Sequence, residues 1–240
     1  AVISIAAAVH VGILVLEKDL GAALIYFVTY LMMLYVATMK LRYLAAGAFA
    51  GTAASVVAYQ LFAHVRVRVA AWQDPWSNMN QGGYQICQSL FAIGTGGLFG
   101  MGLGQGMPKS VPVVESDFIF SAIAEEMGVI FCIFLILIYI SSFIMFVNIA
   151  LKMKKNFYKL CAFGLSVVLI FQVFLSIGGV TKFIPSTGVT LPLISYGGSS
   201  IITTIVIFSI IQGMYVRNRR EEVTTNEEQA AINRKSGKRQ

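Results

Sequence analysis

One segment organises this sequence and reads Val114-Glu115-Ser116-Asp117-Phe118-Ile119-Phe120-Ser121-Ala122-Ile123-Ala124-Glu125-Glu126-Met127-Gly128. It sets carboxylate side chains and hydroxyls directly ahead of a long apolar run. A charged side chain near hydrocarbon costs about 2.5–3.5 kcal/mol on insertion scales, so such groups normally face a protein cavity and serve a function. We therefore take Asp117 as the candidate for the chemistry of this protein.

The composition is that of an integral membrane protein. Of the 240 residues, 57% are apolar and 12% are charged, and the mean hydropathy is +0.76. These values lie beyond those of ordinary soluble domains. The three cysteines are widely spaced, so the sequence predicts neither a disulfide framework nor a zinc site. His10 and His64 each stand alone and are interpreted as structural rather than as ligands.

The net charge of +7 is distributed as in a membrane protein, and we expect no nucleic-acid partner. Most basic residues ahead of the tail lie in short links beside apolar runs, namely Lys40, Arg42, Lys152, Lys154, Lys155, Lys159, Arg217, Arg219 and Arg220. By the positive-inside rule these links are cytoplasmic. Residues 221–240 are polar and mixed in charge, which predicts a disordered cytoplasmic tail.

Apolar runs predict an all-α polytopic membrane protein with six spans. The first, residues 1–16, is shorter than the ~20 residues that a span needs and is interpreted as a helix cut at its beginning. The other five spans cover approximately residues 22–38, 43–63, 128–151, 160–179 and 193–216. With the tail inside, this count puts three segments on the outer side of the membrane: residues 17–21, 64–127 and 180–192.

The long outer segment, residues 64–127, contains an apolar stretch at 86–103 that is interrupted by several glycines. Counting this stretch as a span would place the basic cluster at 152–159 outside. We therefore predict a re-entrant or interfacial helix. The glycine run 100–106 has no strand or βαβ unit around it, which argues against a nucleotide-binding loop. It is interpreted as a flexible loop or as close backbone packing.

Several motifs follow one another along the chain and together carry a resemblance. They are Trp72-Gln73-Asp74-Pro75, Gly83-Tyr84-Gln85, Gly100 to Gly104, Ser116-Asp117-Phe118-Ile119-Phe120 with Glu125-Glu126-Met127-Gly128, and Pro185 through Leu191 to Ser200. Through these motifs residues 1–220 resemble the SEDS family of RodA, FtsW and SpoVE. The family usually has Thr where this chain has Ser116, and Leu where it has Met127.

The resemblance implies the C-terminal part of a ten-span enzyme in the bacterial cell membrane. Such an enzyme polymerises lipid II into peptidoglycan glycan strands at the outer face, among membrane lipids, with a class B penicillin-binding protein as its partner. The family's catalytic aspartate falls on Asp117 by motif match. The branch of the family, which serves elongation, division or sporulation, stays open.

The expected reaction needs one base and several cations. The base takes the proton of the acceptor hydroxyl, and the cations hold the departing pyrophosphate. If residues 117–126 are helical, Glu125 lies about 12 Å along the axis from Asp117. That exceeds the ~5 to ~9.5 Å of paired glycosidase carboxylates, so Asp117 is expected to act alone. The alternative for Ser116 or Asp117 is a helix N-cap.

The remaining candidates are assigned by residue type and position. Substrate-binding candidates are Lys109, Lys182, Arg66, Arg68, Ser199 and Ser200. Supporting candidates are Glu125, Glu126, Asp19, Tyr84 and Gln85. Each basic residue could equally anchor the membrane interface, and Asp19 could be a helix cap. Either glutamate could pair with a basic group or help to bind a divalent cation, Mg²⁺ or Mn²⁺; no metal ligands are assigned.

Two other function classes stay open. Polar groups among glycine-broken helices also suit a lipid II flippase or transporter. The predicted spans carry almost no charge below their outer third, which disfavours proton-coupled transport. The third class is a noncatalytic membrane scaffold of the cell-wall synthesis complex, which an Asp117 substitution without effect on growth would support.

Overall fold

The computed structural model describes residues 9–15 and 17–237, and these residues contain helices but no strands. The main helices are α1 (Leu20–Thr38), α2 (Leu41–Leu61), α3 (Ala63–Gln73), α4 (Gly83–Gly96), α5 (Ile119–Lys152), α6 (Asn156–Val180) and α7 (Gly198–Gly237). Short 3-10 turns occupy Met79–Gln81 and Pro108–Ser110. Residues 9–15 are also helical. The predicted all-α class is confirmed.

Five helical segments are long and apolar enough to cross a membrane: Leu20–Thr38, Leu41–Leu61, Ile119–Lys152, Asn156–Val180 and Gly198–Thr224. They correspond to the five complete spans predicted from the sequence. The predicted first span lies largely outside the described residues. The 14 residues of α4 extend about 21 Å, less than the ~30 Å hydrocarbon core. This length agrees with the prediction that residues 86–103 do not form a span.

The predicted start of the fourth span, Gly128, coincides with a kink at which α5, beginning at Ile119, is interrupted. One predicted helix start was wrong, since α7 begins at Gly198 rather than near Leu193. Residues 195–197 therefore precede the last helix instead of forming its first turns. The reason is a turn at this point: Leu193 has a positive φ of 65°, and the amide of Ser195 donates to the carbonyl of Leu191 at 3.0 Å.

The predicted disordered tail is wrong for residues 221–237, because α7 continues to Gly237. Side chains one turn apart stabilise this extension. Arg217 pairs with Glu221 at 3.2 Å, and the Asn218 amide donates to Glu222 at 3.0 Å. Residues of the tail such as Glu, Arg, Gln and Ala also have high helix propensity, so a polar sequence need not be disordered.

Two apolar cores hold the helices together. The larger joins α5 and α6 and continues beneath the connections before α5 and after α6, with Phe118, Phe120, Leu135, Val173 and Leu191 among its buried residues. The smaller joins α5, α6 and α7 through Phe146, Leu169, Ile207 and Ile211. In contrast, α2 has no buried residue. The connections before α5 and after α6 are thus fixed by the same core that packs the spans.

Candidate functional site

The helix α5 is broken at Gly128, whose φ of 82° and ψ of 170° are not helical. In a continuous helix the amides of residues 129 and 130 would bond the carbonyls of residues 125 and 126. Here four backbone bonds, written from N–H to C=O, take their place: Val129 to Gly97 (2.9 Å), Ile130 to Leu98 (3.2 Å), Met101 to Glu125 (2.9 Å) and Gly102 to Glu126 (3.0 Å). We call this set the clasp.

The glycine run is folded onto the clasp. A Cβ at Gly100 would collide with the carbonyl oxygen of Glu126, and one at Gly128 would collide with the amide of Gly100. Gly100 and Gly128 also have positive φ values of 80° and 82°. Only glycine satisfies both conditions at these two positions. Of the two interpretations of this run, close backbone packing is confirmed at Gly100, whereas a Cβ at Gly104 would meet nothing within 4 Å.

Glu125 and Glu126, whose carbonyls belong to the clasp, also bind backbone amides through their side chains. Glu125 is 6% exposed, and its Oε1 accepts a hydrogen bond from the amide of Met107 at 3.0 Å. Glu126 Oε1 accepts from the amide of Gly104 at 3.1 Å. Glu125 Oε2 is buried without a hydrogen-bond partner among the described residues. Both glutamates thus fix the glycine run, and neither forms an ion pair with a basic side chain in the described part of the chain, which was one of the roles predicted for them.

A separate cleft of about 370 Å³ contains Asp117. Its walls come from α3, the start of α4, the turn ahead of α5 and the connection between α6 and α7. The lining residues are His64, Val67, Arg68, Ala71, Gly82, Gln85, Ile86, Asp117, Phe118, Ser186 and Gly188. We call it the Asp117 cleft. Neither glutamate of the clasp lines it.

Asp117 lies in the turn ahead of α5, partly exposed. The buried Phe118 occupies the N-cap position, and no side chain caps this helix. The N-cap alternative for Ser116 and Asp117 is therefore wrong. The carboxylate of Asp117 accepts no hydrogen bond from any residue in the described part of the chain. Its oxygens remain available to a ligand.

Arg68 faces Asp117 across Gly188. Its Nη1 donates to the carbonyls of Ser186 at 3.4 Å and Thr187 at 3.0 Å. A Cβ placed on Gly188 would lie 3.5 Å from Asp117 Oδ2 and 3.8 Å from Arg68 Nη2. The two side chains do not form an ion pair within 4.0 Å, although both are described. Opposite charges therefore flank the cleft without neutralising each other.

Ser195 ties the α6–α7 connection to the backbone beside Asp117. Its hydroxyl donates to the carbonyl of Ser116 at 2.5 Å and accepts from the amide of Leu191 at 2.7 Å. The amide of Tyr196 donates to the carbonyl of Glu115 at 2.7 Å. These bonds hold the residues just before Asp117 against the connection that contains Gly188.

The short helices α3 and α4 are tied to neighbouring connections. Trp72 Nε1 of α3 donates to the carbonyl of Lys182 at 3.0 Å. In α4, the Ser89 hydroxyl donates to the carbonyl of Val180 at 2.9 Å, and Gln85 Nε2 donates to the carbonyl of Pro112 at 2.8 Å. Beyond α3, hydrogen bonds from Ser77 hold the pKa of the exposed Asp74 carboxyl below its ordinary value. The walls of the cleft are thereby fixed relative to one another.

The structure brings three predicted site residues to the cleft: Asp117, Arg68 and Gln85. Four others are placed elsewhere. Arg66, Lys109 and Tyr84 are exposed and do not line the cleft, and Asp19 Oδ1 caps α1 by accepting from the amide of Ala22 at 2.9 Å. The helix-cap alternative for Asp19 is confirmed.

Lys182 and the two serines of the last motif also lie off the cleft. Lys182 takes part in the fold through its carbonyl, which binds Trp72. The hydroxyl of Ser200 accepts from that of Thr190 at 2.9 Å. Ser199 is exposed. Substrate binding by these residues stays a prediction.

The sequence interpretation missed His64, which lines the cleft. Its Nε2 is buried without a hydrogen-bond partner among the described residues, and its ring packs against Phe62 at 5.5 Å between centroids. The signal was available, because His64 lies four residues before Arg68 and such pairs share a helix face. Ser186 and Gly188 gave no comparable signal, since only the folded connection brings them here.

The described residues include no group of three or more His, Cys, Asp and Glu side chains that could hold a metal ion. In the clasp, one oxygen of each glutamate is already bound to a backbone amide. The clasp therefore does not fit an all-protein cation cage. Asp117 is the carboxylate in the described part of the chain that lines the cleft.

Comparisons with known proteins agree with this architecture. A family model described as a cell cycle protein, FTSW_RODA_SPOVE, matches residues 1–220. A solved chain from work on structural coordination of polymerization and crosslinking by a peptidoglycan synthase complex matches with a TM-score of 0.74 and 27% identity. That match covers 90% of this chain and 61% of the solved one.

Two relatives represent the sequence matches. The peptidoglycan glycosyltransferase RodA of Mycobacterium tuberculosis H37Rv is 42% identical over 203 residues, which cover 85% of this chain and 43% of the relative. The probable peptidoglycan glycosyltransferase FtsW of Geobacter sp. strain M18 is 34% identical over 220 residues, which cover 88% of this chain and 58% of the relative. The chain spans about half the length of the relatives it matches.

Proposed function

This chain belongs to the FtsW, RodA and SpoVE family, and from that premise we propose that the whole protein is a peptidoglycan glycosyltransferase. It polymerises lipid II into glycan strands, with Asp117 as the general base. The observation that carries the proposal is the cleft in which the unbonded Asp117 carboxylate faces Arg68 across Gly188. The names of the RodA and FtsW relatives support the reaction class.

Asp117 would take the proton of the acceptor sugar's hydroxyl. The freed oxygen then forms a bond to the anomeric carbon of the donor sugar, while the bond from that carbon to the lipid pyrophosphate breaks. A general base contributes about 10²–10⁴-fold to such a step when it lies within hydrogen-bond reach. Asp117 suits this role because none of its oxygens is occupied by a described residue.

Arg68 would hold the departing pyrophosphate. Two carbonyls fix its Nη1, and its Nη2 lies toward the cleft near Gly188. A guanidinium presents donors in a fixed fork that matches phosphate oxygens. We rank Arg68 ahead of Arg66, Lys109 and Lys182, because those three do not line the cleft. Gln85 would support the same wall.

A divalent cation, Mg²⁺ or Mn²⁺, remains part of the proposal. Such an ion would supply further positive charge to the pyrophosphate. Mg²⁺ is commonly held by one or two carboxylates together with substrate phosphates. Asp117 is the cleft carboxylate suited to that role, and the proton transfer described above does not depend on the ion.

We place the Asp117 cleft on the outer side of the bacterial cell membrane and the C-terminus in the cytoplasm. Two groups of basic residues support this orientation: those around the connection between α5 and α6, and those after Val216. We also propose a class B penicillin-binding protein as the partner. The solved neighbour supports it, since that chain comes from work on a peptidoglycan synthase complex in which polymerization and crosslinking are coordinated.

The test is polymerisation of labelled lipid II by the full-length protein with its cognate penicillin-binding protein. Asp117→Asn is expected to lower the rate at least about 100-fold, with partner binding and melting temperature retained. Glu115→Gln is the matched control, because this carboxylate is exposed and does not line the cleft. Equal rates for wild type and Asp117→Asn would remove Asp117 from the chemistry. No product from folded wild type would favour a flippase or a scaffold.

A further inference from the structure

A groove of about 540 Å³ runs between α5 and α7 at their basic ends, where it contacts Lys152 and Tyr215. It is separate from the Asp117 cleft and shares no lining residue with it. One wall is apolar and consists of Ile144, Met145 and Ile149. These dimensions and this wall suit an acyl chain.

Two amide side chains interrupt the apolar surface of the groove. Asn148 lies on α5 and Gln212 on α7, both are exposed, and neither side chain hydrogen-bonds to a described residue. An amide among hydrocarbon chains is unfavourable unless it is hydrogen-bonded. A ligand with ester or phosphate oxygens would satisfy both amides, whereas a plain hydrocarbon chain would not.

One cation lines the groove and a second lies beside it. Lys152, at the end of α5, is a lining residue, and the guanidinium carbon of Arg219 lies 6.0 Å from the centre of the ring of Tyr215, another lining residue. Two acids follow on α7: Glu221 pairs with Arg217, which also binds Tyr158 of α6, and Glu222 accepts from the amide of Asn218. Neither acid lines the groove, whose charged lining residue is Lys152, and this charge complements an anion.

The spacing of these groups matches the layers of a membrane. Asn148 lies four residues before Lys152, about 6 Å along the helix. The headgroup region on each side of a bilayer is about 5–8 Å thick. When Lys152 lies at the level of lipid phosphates, Asn148 lies at the level of the ester groups, and Ile144 and Met145 lie among the acyl chains.

The two helices that form the groove are packed against each other. Phe146 is 3% exposed and packs edge-on against Phe208 of α7 at 4.9 Å between ring centroids. The amide of the buried Asn218 donates to the carbonyl of Lys152 at 3.3 Å. These contacts fix the two helices relative to each other, so the groove is already formed before a ligand enters.

We propose that this groove binds an anionic phospholipid from the leaflet at the basic helix ends. The phosphate binds between Lys152 and Arg219, the ester oxygens accept from Asn148 and Gln212, and an acyl chain lies along Ile144 and Ile149. Basic pockets between helices on this side of a membrane bind acidic headgroups. The site is independent of the glycosyltransferase reaction at Asp117.

The test uses full-length protein in phosphatidylcholine nanodiscs with a small fraction of spin-labelled phosphatidylglycerol or spin-labelled phosphatidylcholine. The immobilised fraction gives the relative affinity for each lipid. Wild type is expected to prefer phosphatidylglycerol. The pair Lys152→Gln with Arg219→Gln is expected to lower that preference about 25-fold, from about fivefold for each basic residue.

Two further variants separate a built site from diffuse attraction. Lys154→Gln with Lys155→Gln removes the same charge from exposed positions outside the groove and should keep most of the preference. Asn148→Leu keeps all charges and should lower the preference several-fold. Equal immobilisation of both lipids by wild type, or equal losses in the two double variants, would overturn the proposal.

Discussion

Two acidic positions of one segment have opposite surroundings. Asp117 is partly exposed in its cleft and accepts no hydrogen bond from the described residues. Glu125, eight positions later, is 6% exposed and holds the amide of Met107. One carboxylate is thus left available to a ligand, while the other is spent on holding the backbone. The kind of side chain does not distinguish them, but the hydrogen bonds do.

This difference explains how the site can be both rigid and open. The clasp fixes the start of α5 through backbone atoms that lie away from the cleft. Ser195 fixes the opposite wall through its hydroxyl. The hydrogen bonds that hold the site therefore surround Asp117 and do not involve its carboxylate. Substitutions in the clasp should mainly lower stability, and substitutions in the cleft should mainly lower activity.

The largest expected effect on stability is at Gly128. Gly128→Ala forces a side chain into a φ/ψ region used almost only by glycine, which costs about 1–3 kcal/mol, and the added Cβ also collides with Leu98 and Gly100. The melting temperature of the purified protein should fall clearly. Gly94→Ala is the control, since a Cβ there meets nothing within 4 Å. A normal melting temperature for Gly128→Ala would mean that the clasp does not stabilise the fold.

The next effect is on activity and concerns Arg68. Arg68→Lys keeps the charge, but its single nitrogen cannot occupy both the position of Nη1 at the two carbonyls and that of Nη2 near Gly188, so a charged hydrogen bond worth about 1.5–3 kcal/mol is lost. We expect kcat/KM to fall at least about tenfold with little change in melting temperature. Arg66→Lys, on the same helix but outside the cleft, should behave as wild type. Equal losses in both variants would contradict the assignment of Arg68.

Ser195 should affect both properties moderately. Ser195→Ala removes two buried hydrogen bonds, each worth about 1 kcal/mol. We expect a lower stability in chemical unfolding and a several-fold lower polymerisation rate, because the backbone before Asp117 loses its tie. Ser199→Ala removes an exposed hydroxyl from the same motif and should leave stability unchanged, and a lower rate in that variant would support the predicted substrate binding by Ser199. If Ser195→Ala kept full activity, the tie would not position Asp117.

The smallest effect is expected for Glu125. Glu125→Gln keeps an acceptor for the Met107 amide and loses only its charge, so the cost should be about 1 kcal/mol of stability. Polymerisation per folded molecule should stay near that of wild type. A rate as low as that of Asp117→Asn would show that the two carboxylates act together, and the contrast between them would fail.

The spans were predictable because apolar runs of sufficient length carry their own signal, and all five complete spans appear in the structure. The helix in the tail was not predictable, because solvated helices and disordered segments share a polar composition. What distinguishes them is side-chain pairing along a helix, such as that of Arg217 with Glu221. The start of α7 was missed for another reason. The turn at Leu193 that delays it is also held by bonds from Ser195 and Tyr196 to residues far away in the sequence.

The candidate site was predictable only in part. Asp117 came from the motif match, and Arg68 was one of several equivalent cations until the fold placed it beside Gly188. His64 was dismissed because a lone histidine in a sequence has no visible partner. The clasp could not be foreseen, since its four bonds join segments that are well separated along the chain. The glycines indicated close packing but not the segment against which they pack.

The clasp is built from main-chain atoms, and this has a consequence for how such a protein can change over generations. Leu98 and Met101 contribute only backbone groups to it, and their side chains are 62% and 49% exposed. Nearly any residue can replace them without loss of a bond. Gly100 and Gly128 tolerate no side chain at all. Substitutions are therefore tolerated at the exposed positions of this turn and excluded at its two glycines.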